Sequence, residues 1–219
     1  MPDARDRLQS VRLYAVLTER HCRRPWRQTA ELLLAGGADA IQLREKELPD
    51  GPLLVRGQAL RQLTAHAGAL LIINDRPDVA LLCGADGVHL GQDDLPPARV
   101  RELVGPEMLI GWSTHSVVQA EEADQLPVDY VGVGPVAPTA TKGYDEGLGV
   151  ELVREVCARL TVPAVAIGGM TRHNAAAAVR AGATAVAACS ALCGAEDPEA
   201  AARELRAVVV AVLNERGAR

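Results

Sequence analysis

Chemistry in this chain gathers in short polar bursts that follow apolar runs. The first is Gln42-Leu43-Arg44-Glu45-Lys46, in which Arg44 and Lys46, two apart on an extended chain, can point to one side and clamp an anion. Taken alone, a solvated strand end is the simpler reading of these residues. Asn74 and Asp75 follow four aliphatic residues, and Asp93 and Asp94 follow the run Gly87 to Gln92. One carboxylate from each of these adjacent strand ends, with room for water, would form the sparse oxygen site that Mg²⁺ prefers when a substrate phosphate completes its shell. Helix capping is the alternative role for Asp93 or Asp94.

Further along, Trp112-Ser113-Thr114-His115-Ser116 offers hydroxyls suited to a heterocycle, although Ser116 could simply cap the next helix. His115 is ambiguous, and His89, inside its strand, fits a hydrogen-bonded interior residue better than a catalyst. The loop from Gly134 to Gly143 carries Thr139, Ala140, Thr141 and Lys142, a pattern resembling a phosphate cradle with a mobile cation. Gly168-Gly169 precedes Thr171, a predicted helix start, and Cys189-Ser190 closes a later apolar run. Glycine turns and a helix N-terminus can together expose backbone N–H groups to an anion, while a tight turn alone also accounts for the glycines. Among 23 basic residues only Lys46 and Lys142 are lysine, and both fall in these bursts.

Eight apolar, β-branched runs must position these groups: LYAVLT from Leu13, AIQLRE from Ala40, ALLIIND from Ala69, GVHLG from Gly87, LIGWSTH from Leu109, YVGVG from Tyr130, PAVAIGG from Pro163 and AVAACSAL from Ala185. Helical segments separate them. The clearest is the last, with Asp197 as N-cap, Pro198 at the first position, and a stripe of Leu205, Val208, Val209, Val212 and Leu213. A faint repeat precedes every second strand: Gly37-Ala38-Asp39, Gly84-Ala85-Asp86, Val128-Asp129 and Gly182-Ala183-Thr184. Each interval holds two β/α units, with glycine turning helix ends into strands 2, 4, 6 and 8. Eight alternating units in 219 residues predict a single-domain (β/α)8 TIM barrel spanning 1–219, with 1–12 preceding the first strand; an open doubly wound sheet is the rival.

Composition narrows the partners. A net charge of −5 argues against nucleic acid, since binding along a duplex needs a basic face. The N-terminal MPDARDRLQS lacks an apolar core and a cleavage pattern, and no run approaches a membrane span, so a cytoplasmic protein is expected. The five scattered cysteines lack zinc-site spacing and are expected to be reduced. A homo-oligomer is left open.

Taken in order, QLREK from Gln42, IINDR from Ile72, GVHLGQDD from Gly87, GWSTHS from Gly111, GPVAPTATK from Gly134, IGGM from Ile167 and Cys189-Ser190 resemble the thiamine phosphate synthase family over residues 13 to about 192. The resemblance implies a transferase that joins a pyrimidine diphosphate to a thiazole phosphate with loss of pyrophosphate. It implies diphosphate binding by the Gln42–Lys46 segment and Asn74, Mg²⁺ on Asp75 and Asp94, and Ser113 on the pyrimidine. Thr139, Ala140 and Thr141 would hold the thiazole, Lys142 the diphosphate, and Gly169 with the Cys189-Ser190 pair the thiazole phosphate. Arg44, Lys46, Ser113 and Lys142 carry the catalytic roles in this reading. Gly143 to Gly147 departs from the family, which often has a further basic residue there, and Ser116 stands where Thr is common. Two rivals share the barrel: a thiazole tautomerase, which would use a histidine where His115 stands, and a non-catalytic binder of thiamine precursors.

Overall fold

The computed structural model describes residues 3–139 and 145–217. Eight strands alternate with helices: α1 (Ala4–Gln9), β1 (Leu13–Leu17), α2 (Trp26–Ala35), β2 (Ala40–Leu43), α3 (Asp50–Ala67), β3 (Leu70–Asn74), α4 (Pro77–Cys83), β4 (Gly87–Leu90), α5 (Pro97–Val104), β5 (Leu109–Thr114), α6 (Val117–Ala123), β6 (Tyr130–Val133), α7 (Gly149–Cys157), β7 (Ala164–Ala166), α8 (Ala175–Arg180), β8 (Ala185–Ala188), α9 (Ser190–Cys193) and α10 (Pro198–Gly217). The strands pair in parallel in sequence order, and β8 returns to β1, closing the barrel. The open-sheet rival is thereby excluded.

Because side chains alternate across a strand, every run splits into two layers. Leu13, Ala15, Leu17, Leu71, Ile73, Val88, Leu90, Val131 and Val133 point outward and pack under the helices. Tyr14, Val16, Ala40, Leu70, Ile72, Leu109, Tyr130, Val165, Ala185 and Ala187 fill the interior. Burying one such aliphatic side chain stabilises the fold by about 1.5–3 kcal/mol, so the two layers dominate its stability. Gly111 makes room inside: a Cβ there would lie 2.1 Å from Tyr130 Cζ.

The segment before β1 is a structural part of the barrel. Asp3 caps α1 by accepting the Asp6 N–H at 2.8 Å, and Leu8 and Val11 join the interior layer. The repeat before alternate strands also has a physical basis. Asp39 accepts the N–H groups of Arg12 and Leu13 at 2.9 Å, Asp86 accepts Leu71 N–H at 2.7 Å, and Asp129 accepts Ile110 N–H at 2.8 Å. Thr184 donates to the Ala164 carbonyl at 3.2 Å. Each ties the start of an even strand to its odd neighbour. Arginines neutralise this belt: Arg206 on Asp39, Arg7 and Arg61 on Asp86, and Arg5 and Arg101 on Asp129.

At the last helix Asp197 accepts Ala200 N–H at 3.0 Å, and Leu205, Val209 and Val212 are buried, as the stripe predicts. One boundary moves. Thr171 does not start α8, which begins at Ala175; Asn174 Oδ1 instead takes Thr171 N–H at 2.8 Å and holds the intervening residues in a turn.

Candidate functional site

The C-terminal strand ends surround a cleft that opens to solvent. Gln42, Arg44, Asn74, Ser113, Thr139, Gly169, Cys189 and Ser190 all line it, from β2, β3, β5 and the segments after β6, β7 and β8. Residues far apart in the chain meet because every parallel strand delivers its end to the same mouth.

Not every residue of QLREK reaches the cleft. Leu43 points outward into the layer beneath the helices. Glu45 turns aside to Arg56 at 2.9 Å and accepts the Glu19 N–H at 2.7 Å, buttressing the loop after β1. Arg44 is only 7% exposed, and its Nε is buried without a hydrogen-bond partner among the described residues. A buried guanidinium with an unused donor, facing a cleft, is suited to an anion.

The two aspartates come together as the motifs imply. Alternation along β3 would turn Asp75 away from the barrel axis, but its φ of 62° places it in the left-handed region and swings the carboxylate over the rim. There it lies 3.1 Å from Lys46 Nζ and near enough to Asp94 to act on its carboxyl. Asp94 also accepts Gly91 N–H at 2.6 Å. Burial first, then the adjacent Asp75, push the Asp94 carboxyl above its ordinary range. α5 begins at Pro97 after Pro96, so neither Asp93 nor Asp94 caps it. Two crowded carboxylates at an open rim, with no third acidic or histidine ligand beside them among the described residues, fit a cation that keeps waters and borrows substrate oxygens.

Ser113 is buried, with its hydroxyl 2.9 Å from His89 Nε2, and Gln92 Nε2 donates to its carbonyl at 2.6 Å. His89 is a bonded interior residue, as its place within β4 suggests. Ser116 caps α6 by accepting Gln119 N–H at 3.2 Å, and His115 lines the cleft with its ring on the Gly134 carbonyl. Gly169 has a φ of 61°, and a Cβ there would lie 2.6 Å from the Pro138 carbonyl oxygen, so glycine is required where two loops cross. Cys189 precedes the short helix α9, which starts at Ser190. Ala140, Thr141 and Lys142 lie outside the described residues.

Sequence reasoning gave no site role to Val16, Ile167 and Met170, which give the cleft its apolar walls, or to Tyr14 and Tyr130 beneath it. The inward parity of Tyr14 and Tyr130 in their strands was the available signal.

Fold and site together define a β/α-barrel enzyme with a cleft at the strand ends whose apolar walls carry a few polar groups, the buried Arg44 among them. The family model described as thiamine monophosphate synthase matches residues 13–192. A thiamine-phosphate synthase of Moorella thermoacetica is 47% identical over 200 residues, covering 90% of this chain and 95% of that one. Another, of Albidiferax ferrireducens, is 46% identical over 210 residues, covering 94% and 95%. The solved thiamine phosphate pyrophosphorylase of Pyrococcus furiosus superposes with a TM-score of 0.88 at 37% identity, over 96% of this chain and all of that one. A 3-hexulose-6-phosphate synthase, TM-score 0.64 at 21% identity, shares the fold. The chain belongs to the thiamine monophosphate synthase family and is a transferase of that kind.

Proposed function

We propose that the chain condenses 4-amino-2-methyl-5-(diphosphooxymethyl)pyrimidine with a 4-methyl-5-(2-phosphoethyl)thiazole substrate, giving thiamine phosphate and pyrophosphate. The observation that carries this reading is Arg44, which lines the cleft with its Nε buried and unpartnered among the described residues, near Lys46, Asp75 and Asp94. In this reading Arg44 and Lys46 hold the diphosphate with Asn74, and Lys142 joins them. Ser113 and Gln42 orient the pyrimidine. Thr139 and Thr141 hold the thiazole, and the backbone at Gly169 with Ser190 takes its phosphate, at the place where many barrels bind one. Cys189, half-buried beside Ser190, lines the same subsite.

No protein nucleophile is needed. As pyrophosphate departs and the pyrimidine methylene becomes cationic, the cations already in place stabilise charge growing on the leaving group, and the thiazole nitrogen then bonds to the methylene carbon. One preorganised donor of this kind lowers the barrier by about 3–4 kcal/mol. Asp75 and Asp94 would hold Mg²⁺, which when bound neutralises diphosphate charge as a Lewis acid. Lys46, paired with Asp75, is then placed to pass to the diphosphate.

Pyrophosphate release from the two purified substrates, followed with and without magnesium, tests the proposal. Thiamine phosphate formed only with magnesium is expected. Isomerisation of a thiazole carboxylate phosphate would favour a tautomerase acting through His115, and tight binding without turnover would favour a binding protein.

A further inference from the structure

A chain of hydrogen bonds crosses the barrel interior beneath the cleft and joins two of its polar residues. Gln42 Nε2 donates to Tyr14 Oη at 2.8 Å, and Tyr14 Oη lies 2.9 Å from Tyr130 Oη. Tyr130 Oη is 3.2 Å from His89 Nδ1, and His89 Nε2 is 2.9 Å from Ser113 Oγ. All five side chains are buried. Burial pushes both phenols above their ordinary range, so each keeps its single proton.

Proton counting gives the chain a direction. Tyr14 Oη accepts from Gln42, so its own proton goes to Tyr130. Tyr130 then gives its proton to His89 Nδ1, which must be bare. The imidazole proton therefore sits on Nε2 and is donated to Ser113 Oγ, leaving the serine proton to point into the cleft. Reversing the order without moving Gln42 would leave the Tyr14 proton with no acceptor among the described residues, and a buried unsatisfied donor forfeits its full hydration. Full reversal is satisfied only if the Gln42 amide turns over. In either state the two ends are opposite: when Ser113 donates to the cleft Gln42 offers a carbonyl, and when Gln42 donates Ser113 accepts.

We infer that Tyr14, Tyr130 and His89 are positioning residues that hold Gln42 and Ser113 in opposite hydrogen-bond polarity, selecting a heterocycle with an amino donor for one and a ring-nitrogen acceptor for the other. The inference rests on the proposed function for its ligand, but the proton order stands on this chain's geometry alone. Gly111 serves the same device, since a Cβ there would lie 2.5 Å from His89 Nδ1 and displace it.

Two readouts test it. In protein labelled with ¹⁵N-histidine, with His89 assigned by comparison with His89→Gln, the ring-nitrogen shifts should report the Nε2–H tautomer at neutral pH. Tyr130→Phe, which removes the donor to Nδ1, should lose that fixed tautomer. In turnover, Tyr130→Phe should lower discrimination against a pyrimidine diphosphate whose amino group is replaced by methyl at least tenfold, while pyrophosphate affinity stays unchanged. Tyr14→Phe serves as the second variant if Tyr130→Phe does not fold. A doubly protonated His89 or a mixture of its two tautomers in the wild type, or unchanged tautomer and discrimination in both variants, overturns the inference. Wild-type protein that forms no thiamine phosphate refutes the functional reading, and the tautomer measurement still judges the relay.

Discussion

Replacing Arg44 by Met separates the stability of this fold from its chemistry. Folding without ligand buries the Arg44 Nε–H with no acceptor among the described residues, which costs about 1–3 kcal/mol. Met keeps the apolar stem and drops that donor, so the ligand-free variant is expected to be as stable as wild type or more stable by up to about 1–3 kcal/mol. The anion pays the other way. A hydrogen bond from a charged group contributes about 1.5–3 kcal/mol, so pyrophosphate affinity should fall roughly 10- to 150-fold. Urea unfolding with and without pyrophosphate reads both effects. At about 100 times the wild-type Kd, pyrophosphate should stabilise wild type by about 2.7 kcal/mol, whereas a variant binding 100-fold more weakly gains only about 0.4 kcal/mol. A Met variant that is less stable without ligand, yet still gains the full increment, would refute the reasoning.

Three further outcomes are expected. Asp86→Ala, at the end of the barrel away from the cleft, orphans Leu71 N–H and leaves Arg7 and Arg61 unpaired; with both arginines partly exposed the expected loss is about 2–4 kcal/mol in urea unfolding, with pyrophosphate affinity unchanged. A loss under about 1 kcal/mol would show that the acidic belt is ornamental. Asp75→Asn, which tolerates the left-handed backbone, and Asp94→Asn should fold normally but lose the magnesium-dependent rise in Tm seen with pyrophosphate; a retained rise would remove these residues from the metal site. The hydrogen bond from Arg76 holds the Asp78 carboxyl below its ordinary range, so its contribution is present above the unfolded-state pKa and is lost as pH falls through the lower folded value. Urea midpoints of wild type and Arg76→Gln should therefore converge in acid, and a gap independent of pH would contradict this.

The barrel was legible because its signal is local and repeated. Each strand carries its own apolar run, the last helix its own cap and stripe, and the count of eight needs no knowledge of contacts. The ring of Gln42, Arg44, Asn74, Ser113, Gly169 and Ser190 was legible for a related reason: parallel strands carry their last residues to one face, so position at a strand end predicts position in the cleft. Leu43 and Glu45 show where that logic stops. They share a motif with Arg44, but strand parity turns Leu43 outward, and Arg56 draws Glu45 away.

What the tertiary structure alone decided is which side chains meet across the barrel and in what state. Nothing local to Asp75 announces its left-handed φ, because that backbone is held by the Asp75 N–H on the His89 carbonyl, 2.8 Å away on the neighbouring strand. The relay from Gln42 through Tyr14, Tyr130 and His89 to Ser113 joins five strands, and its two ends take opposite polarity because burial leaves no spare acceptor among the described residues. The order of residues along this chain determines the fold and the inventory of the site. The pairing of distant strands determines the protonation and polarity that this inventory presents, since those depend on partners that the closed barrel alone brings within hydrogen-bond reach.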